Sequence, residues 1–103
     1  MRESVIERYL VKRVKEAGGE VRKVKWIGRR GAPDRVVMLP SRDLLTANPS
    51  VVRYVYPVTA WVELKAPGAK PEPHQAREHK RMRRMGQHVV VIDSFQQVDE
   101  LLR

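Results

Sequence analysis

Two charged motifs, each beside an apolar run, contain the residue types that could do chemistry. Gly31-Ala32-Pro33-Asp34-Arg35 opens one run, and Glu63-Leu64-Lys65 closes another. Residues two apart in a strand share a face, so Glu63 and Lys65 point one way and Leu64 points into the core. If the two runs pair, Asp34 meets the face of Glu63 and Lys65. Two carboxylates and an ammonium at one sheet end suit metal-assisted cleavage of a phosphodiester, which predicts a nuclease.

The charge balance favours a polyanionic partner. Lys and Arg outnumber Asp and Glu by 21 to 12 in 103 residues, giving a formal charge of +9. This excess favours nucleic acid first and an anionic membrane second. The sequence has no apolar run near the roughly 18 residues of a membrane span, and Met1-Arg2-Glu3-Ser4 shows no signal-peptide pattern. We therefore expect a cytoplasmic protein, in a host cell if its origin is viral, without a membrane partner.

The lack of cysteine restricts the choice of metal. It excludes disulfides, thiolate chemistry and zinc ribbons. His74, His79 and His88 are too far apart to share one helical turn, which favours solvated or hydrogen-bonded histidines over metal ligands. Oxygen ligands and a hard cation such as Mg²⁺ are expected, with no small-molecule cofactor.

Helices and strands of mixed type must position these motifs. Ile6, Leu10 and Val14 recur at helical spacing and predict an amphipathic helix over residues 3–17, ended by Gly18-Gly19. A second helix begins at Pro71-Glu72-Pro73 and ends at Gly86. A last helix follows Ser94, which resembles the start of a capping box. Strands are expected over residues 20–26, 35–39, 58–64 and 88–93.

The resulting order, α-β-β-β-α-β-α, predicts an α/β fold with a small mixed sheet flanked by helices, in one domain over residues 1–103. The segment 41–57 is too long for a tight hairpin and contains a β-prone piece, residues 51–56. We expect this hairpin or arm insertion to extend the neighbouring hairpin or to form a contact arm.

This order and these residues resemble the PD-(D/E)XK nuclease superfamily, with its restriction-endonuclease-like core, and within it the virus-type replication-repair nuclease domain, VRR-NUC. The resemblance runs from Glu3 to Leu102. Its motifs are Glu3, Gly31-Ala32-Pro33-Asp34, Glu63-Leu64-Lys65 and Gln75. Each charged piece is common alone, but their order and the following helix with Gln75 make the pattern specific. The segment 41–57 is longer than the family's short hairpin, so substrate contacts there are not carried over.

The resemblance implies a role for each motif residue. Asp34 and Glu63 would hold Mg²⁺ or Mn²⁺, helped by the backbone carbonyl of Leu64. Lys65 would orient or deprotonate the attacking water and stabilise the transition state, as a base or as an electrostatic clamp. Gln75 would position water or phosphate through its amide, which can donate and accept.

The first helix offers two acids for the site. At 100° per residue, Glu3 lies about 35° from the centre of the apolar stripe and Glu7 about 75° from it. Glu3 is thus aimed better at the sheet. The helix dipole alone also favours acids in the first turn, which is an equally good explanation for both residues.

Cations on one helix face and one turn are the candidate nucleic-acid contacts. The helix residues Arg77, Lys80, Arg81 and Arg84 follow i, i+3, i+4, i+7 with Glu78 as the one interleaved acid. Around the presumed site, Arg29, Arg30 and Arg35 are expected to engage the scissile strand. The alternatives are a solvated helix face and a merely basic turn. For the aromatic residues Trp26, Trp61, Tyr54 and Tyr56, packing is favoured over base stacking.

The expected function is a metal-dependent DNA endonuclease, selective for branched DNA such as Holliday junctions. Phosphate-directed cations dominate, and little in the sequence indicates base readout. The likeness to junction resolvases implies a homodimer, with residues 41–57 or the last helix at its interface. The alternatives are a non-catalytic basic DNA-binding module and a subunit of a replication or repair assembly. Metal dependence separates them, because a binding module binds with chelator present and does not cut.

Overall fold

The computed structural model describes residues 1–45 and 47–103. Its elements in chain order are α1 (Glu3–Glu16), β1 (Glu20–Lys23), β2 (Arg35–Leu39), β3 (Arg42–Leu45), β4 (Val52–Val55), β5 (Val58–Leu64), α2 (Pro73–Arg84), β6 (Val89–Ile92) and α3 (Phe95–Leu101). The mixed α/β fold class is confirmed. Among the described residues, none of the helices is long and apolar enough to cross a membrane.

Four strands form the main sheet in the order β1-β2-β5-β6. The first two neighbouring pairs are antiparallel, and β5 and β6 are parallel. β2 and β5 pair with Arg35 opposite Val62, as the two apolar runs of the sequence require for a shared site. β6 lies at the outer edge, where the guanidinium of Arg83 donates to the carbonyl of Val89 at 2.9 and 3.2 Å.

The apolar core lies on one face of this sheet. α1 contributes Ile6, Leu10 and Val14, all fully buried. They pack with core residues from the strands and α3, namely Val37, Ala60, Val62, Leu64, Ile92, Val98 and Leu102. Because strand residues alternate between faces, Glu63 and Lys65 point to the opposite face, which α2 covers. The sheet therefore separates the core from the candidate site.

The first predicted strand ends earlier than the sequence pattern indicates. β1 stops at Lys23 instead of continuing to residue 26. The Trp26 indole N–H donates to the carbonyl of Pro33 at 2.8 Å, and the Trp26 ring packs 5.3 Å from that of Trp61. The chain leaves the ladder because Trp26 turns toward the loop before β2.

The segment 41–57 contains a hairpin of its own, made by β3 and β4. The β-prone residues 51–56 indicated β4. β3 was not predicted, because it begins with the charged pair Arg42-Asp43 and has no apolar pattern typical of a strand. The hairpin forms a separate two-stranded sheet and does not extend the main one. The guanidinium of Arg42 donates to the carbonyl of Leu102 and ties the hairpin to the end of α3.

Candidate active site

The paired ends of β2 and β5 bring Asp34 next to Glu63. Arg35 lies opposite Val62 in the antiparallel ladder, so the preceding and following residues continue the same register. The Asp34 carboxylate lies close enough to raise the pKa of Glu63 by charge repulsion. The structure thus places together the two acids that the sequence had separated by 28 residues.

The Leu64 carbonyl points toward the same place. The N–H of Lys65 donates to the carbonyl of Ile92 in β6 at 2.9 Å. A trans peptide directs its C=O and N–H to opposite sides, and no peptide of the described chain is cis. The Leu64 carbonyl therefore faces the β2 side, where Asp34 lies, while its side chain is buried in the core.

Glu63 is the buried acid of the site, with 8% of its surface exposed. Burial raises its pKa from the ordinary 4.5 to about 7. The Lys65 and Arg35 charges lower the pKa of this carboxyl, and the Asp34 and Glu3 carboxylates raise it. A bound cation would relieve both the burial and the repulsion between acids.

Lys65 and Gln75 form a direct contact across the site. The Lys65 ammonium donates to Gln75 Oε1 at 2.8 Å, and the same oxygen accepts the backbone N–H of Glu72 at 2.8 Å. Gln75 is the third residue of α2 in a capping box with Glu72. The helix cap consequently fixes the amide that holds the lysine.

His79 is a site residue that the sequence pattern did not identify. It is only 1% exposed, and its Nε2 lies 3.3 Å from Glu63 Oε1. Burial lowers the pKa of His79, and the Arg83 and Lys65 charges add to this effect. The available signal was its position four residues after Gln75, which places both side chains on one helix face. The spacing between histidines gave no such indication.

Arg35 lies within the site as part of an acid network. Its guanidinium contacts Asp34 Oδ1 at 3.0 Å and Glu7 Oε2 at 2.8 Å, and its side chain is 13% exposed. Of the two α1 acids, Glu3 is the one whose charge acts on the Glu63 carboxyl, while Glu7 is paired with Arg35. The contact of Arg35 with DNA stays a prediction.

The glycine-rich turn before β2 packs tightly on the first turn of α2. Gly31 has a φ of +88°, and a Cβ there would lie 2.7 Å from the carbonyl oxygen of His74. A residue with a side chain is strained in this conformation as well as blocked. On the same turn, Arg29 binds Glu78 Oε2 at 2.8 Å. These two contacts lock the loop that bears Asp34 against the helix that bears Gln75.

The outer face of α2 displays the predicted cationic stripe. All four of its side chains are exposed, namely Arg77, Lys80, Arg81 and Arg84. Arg81 also contacts Glu78 Oε1 at 2.9 Å, so part of its charge is balanced. Arg30 is exposed beside the paired Arg29. The stripe is separate from the catalytic candidates, because it lies on the side of α2 that faces away from the sheet.

The donors present fit a magnesium or manganese ion. In the described residues, no group of three acidic, histidine or cysteine side chains could hold a metal ion. Mg²⁺ does not need such a group, since it keeps several waters and binds through one or two carboxylates and substrate phosphates. Two carboxylates beside a backbone carbonyl, one of them buried with a raised pKa, match that preference.

Comparisons with known proteins identify relatives of the whole chain, although no family model matches the sequence. A protein of Acyrthosiphon pisum secondary endosymbiont phage 1, named "Putative nuclease p44", is 42% identical over 94 residues, 91% of this chain and 85% of that protein. A solved structure described as a VRR_NUC domain is 40% identical with a TM-score of 0.73, covering 97% of this chain and 92% of that one. The expected family is confirmed: the chain belongs to the VRR-NUC family of PD-(D/E)XK nucleases.

Proposed function

We propose that this nuclease is a metal-dependent DNA endonuclease that hydrolyses phosphodiester bonds by attack of water. The observation that supports it best is the convergence of Asp34, Glu63 and Lys65 at the paired ends of β2 and β5. These groups lie on the face of the sheet opposite the core, where a DNA backbone can approach Asp34, whose side chain is 62% exposed.

Each residue has a distinct part in the proposed reaction. Asp34, Glu63 and the Leu64 carbonyl would hold Mg²⁺ or Mn²⁺. Such an ion would supply the charge that polarises the phosphate and lowers the pKa of a bound water. Lys65 donates one N–H to Gln75 and keeps two donors for the phosphate and water, since an ammonium has three. This arrangement favours Lys65 as an electrostatic clamp. Glu3 lies near enough to bias the charge of Glu63.

We further propose selectivity for branched DNA and a homodimeric assembly. The exposed cations of α2 address phosphates, which position a protein without reading sequence. Selection by DNA shape is what such a surface supports. A pair of active sites related by a two-fold axis matches a junction with two equivalent strands. The β3–β4 hairpin, with Val52, Tyr54 and Tyr56 exposed, is the proposed interface.

The Lys65→Ala variant tests the catalytic assignment. We expect cleavage to fall at least about 100-fold, because a positioned catalytic group typically contributes that much. DNA affinity should stay within about twofold, because one cation among 21 adds little to a summed attraction. The measurement is cleavage of labelled linear, flapped and four-way DNA with and without Mg²⁺ or Mn²⁺.

The matched control is Lys12→Ala, which removes the same charge from an exposed position of α1. It should leave cleavage unchanged. Cleavage by Lys65→Ala within about threefold of the parent would contradict a catalytic role for this lysine. A parent protein that binds all three substrates equally with chelator, and never cuts, would be a DNA-binding module and not an endonuclease.

A further inference from the structure

α2 runs antiparallel to β5 on the site face. Residues from two successive turns of α2 contact two alternate residues of β5 and its end. Gln75 contacts Lys65 at 2.8 Å, and His79 contacts Glu63 at 3.3 Å. One helical turn advances about 5.4 Å, and two strand residues advance about 6.6 Å, so the two spacings nearly coincide. The helix therefore reaches both catalytic candidates of the strand, one from each turn.

The contact between His79 and Glu63 has a defined direction when the acid is charged. An ionised carboxylate only accepts hydrogen bonds, so Nε2 of His79 must then carry the proton. Oε1 of Glu63 accepts this bond, which limits rotation of the carboxylate about its last torsion. The second oxygen is left for a ligand. Loss of a residue that hydrogen-bonds a metal ligand typically costs about 10- to 100-fold in metal affinity or activity.

From these contacts we infer that His79 is a positioning residue, whose imidazole N–H fixes the carboxylate of Glu63 for metal binding. The inference rests on the proposed metal-dependent function and deepens it. His79 touches no substrate in this arrangement, because only 1% of its surface is exposed. Its effect reaches the reaction through the orientation of the ligand.

A purely structural role for His79 has different consequences. A buried polar side chain needs a hydrogen-bond partner, and Glu63 satisfies that need whether or not it binds a metal. Removing the imidazole would then lower thermal stability and leave the metal requirement of the folded protein unchanged. The two roles are therefore distinguished by metal affinity and not by stability.

The experiment compares three variants at position 79. His79→Phe keeps a buried ring and removes the donor. His79→Gln places an amide N–H near the position of imidazole Nε2, and His79→Asn places it near Nδ1, short of Glu63. Mg²⁺ binding without DNA is measured by calorimetry, the half-saturating Mg²⁺ concentration for cleavage by kinetics, and folding by thermal unfolding.

We expect His79→Phe and His79→Asn to raise the half-saturating Mg²⁺ concentration about 10-fold or more, as for other residues that support metal ligands. His79→Gln should stay within about threefold of the parent, and the KM for DNA should not change in any variant. The control is Met82→Leu, one turn along the same buried face, where a volume-conserving change leaves Glu63 untouched.

Two results would overturn the inference: an unchanged metal requirement in folded His79→Phe, or equal losses in His79→Gln and His79→Asn. If His79→Phe does not fold, the Gln and Asn pair still decides the matter, since both variants carry a polar amide. A parent protein that neither binds Mg²⁺ nor cuts DNA would contradict the proposed function itself. If instead the parent binds Mg²⁺ and cuts DNA, and the variants at position 79 have the same metal requirement, only the inference about His79 is contradicted.

Discussion

Burial raises the pKa of Glu63 from 4.5 to about 7, and the repulsion from Asp34 and Glu3 adds to the rise. Between pH 4.5 and about 7, the folded protein therefore keeps a proton on Glu63 that the unfolded chain has already released. Metal-free stability should fall as the pH rises from about 4.5 through 7, and the full loss should be present above 7. Metal binding needs the ionised acid, so Mg²⁺ affinity should rise over the same range.

The Glu63→Gln variant tests this linkage. It should be more stable than the parent at pH 8 without metal, by about 1 to 2 kcal/mol once solvent screening at the open side of the site is allowed for. That corresponds to a Tm increase of about 5 to 10 °C. At pH 4 the advantage should vanish. Thermal unfolding in chelator from pH 4 to 8 measures it, and calorimetry should show weakened Mg²⁺ binding.

Asp34→Asn is the companion variant at the exposed acid. Its side chain is 62% exposed, so we expect little change in stability and a similar loss of Mg²⁺ binding and cleavage. Metal-free DNA affinity should stay the same or rise in both variants, because a negative charge near the phosphates is gone. Lower stability combined with unchanged metal binding in both would show that these acids are structural.

The residues of the site differ in how far the sequence could predict them. Strand alternation put Glu63 and Lys65 on one face, and the order of the motifs, shared with the family, placed Asp34 beside them once the two apolar runs pair. His79 and Arg35 could not be placed this way. Their partners depend on which face of α2 meets the sheet and on how α1 crosses β2, and both are set by tertiary packing.

At the scale of elements, strand boundaries were predicted where they depend on local sequence and missed where they depend on tertiary contacts. β2 and β5 begin and end where the apolar runs do, because Pro40 follows one and Ala66-Pro67 follows the other. Charged residues interrupt β3, and the contact of Trp26 with the Pro33 carbonyl shortens β1. The packing of Gly31 on His74 is likewise invisible in a one-dimensional pattern.

The inner face of α2 lies at the candidate site and its outer face carries the exposed cationic stripe, so the two proposed functions can be tested separately. Replacing Arg77 and Lys80 with Gln should weaken binding to all duplex sequences alike. It should also lower the slope of log K against log salt by up to about 0.9 per lost contact. Binding is measured in chelator over a range of salt. Cleavage at saturating protein should persist, because neither residue contacts the catalytic candidates.

The control for the α2 stripe is the double replacement of Lys12 and Lys15 with Gln. Both residues are exposed on α1, and replacing them removes the same total charge as the α2 double replacement. This control should leave the salt slope almost unchanged. If the α2 variant keeps the salt slope of the parent, the α2 stripe is a solvated face that does not contact DNA. The DNA path would then run over Arg29, Arg30 and the hairpin.

The whole molecule is elongated, with principal extents of 49 × 33 × 21 Å. Its radius of gyration is 14.9 Å, against about 13 Å for a compact chain of this length. The β3–β4 hairpin forms a sheet apart from the main one. A lone two-stranded hairpin is marginally stable in water, which is a reason to expect a partner surface on it.

A double replacement of Tyr54 and Tyr56 with Ser tests the hairpin as the dimer interface. The two exposed rings meet edge to face with centroids 4.9 Å apart. We expect the parent to be a dimer and the variant a monomer by light scattering, with the thermal transition of the main sheet retained. Met85→Ser, an exposed apolar residue after α2, should remain dimeric. A variant that stays dimeric would place the interface elsewhere.

The outer position of β6 has a consequence for solubility. Val89-Val90-Val91-Ile92 is an uncharged β-prone run on a strand with one unpaired edge, a combination that promotes aggregation. Arg83 occupies the carbonyl of Val89 and brings a charge to the start of that edge. The guanidinium therefore acts as a gatekeeper against strand addition by other chains. We therefore expect loss of the Arg83 guanidinium to lower solubility at high concentration, independently of DNA and of the metal.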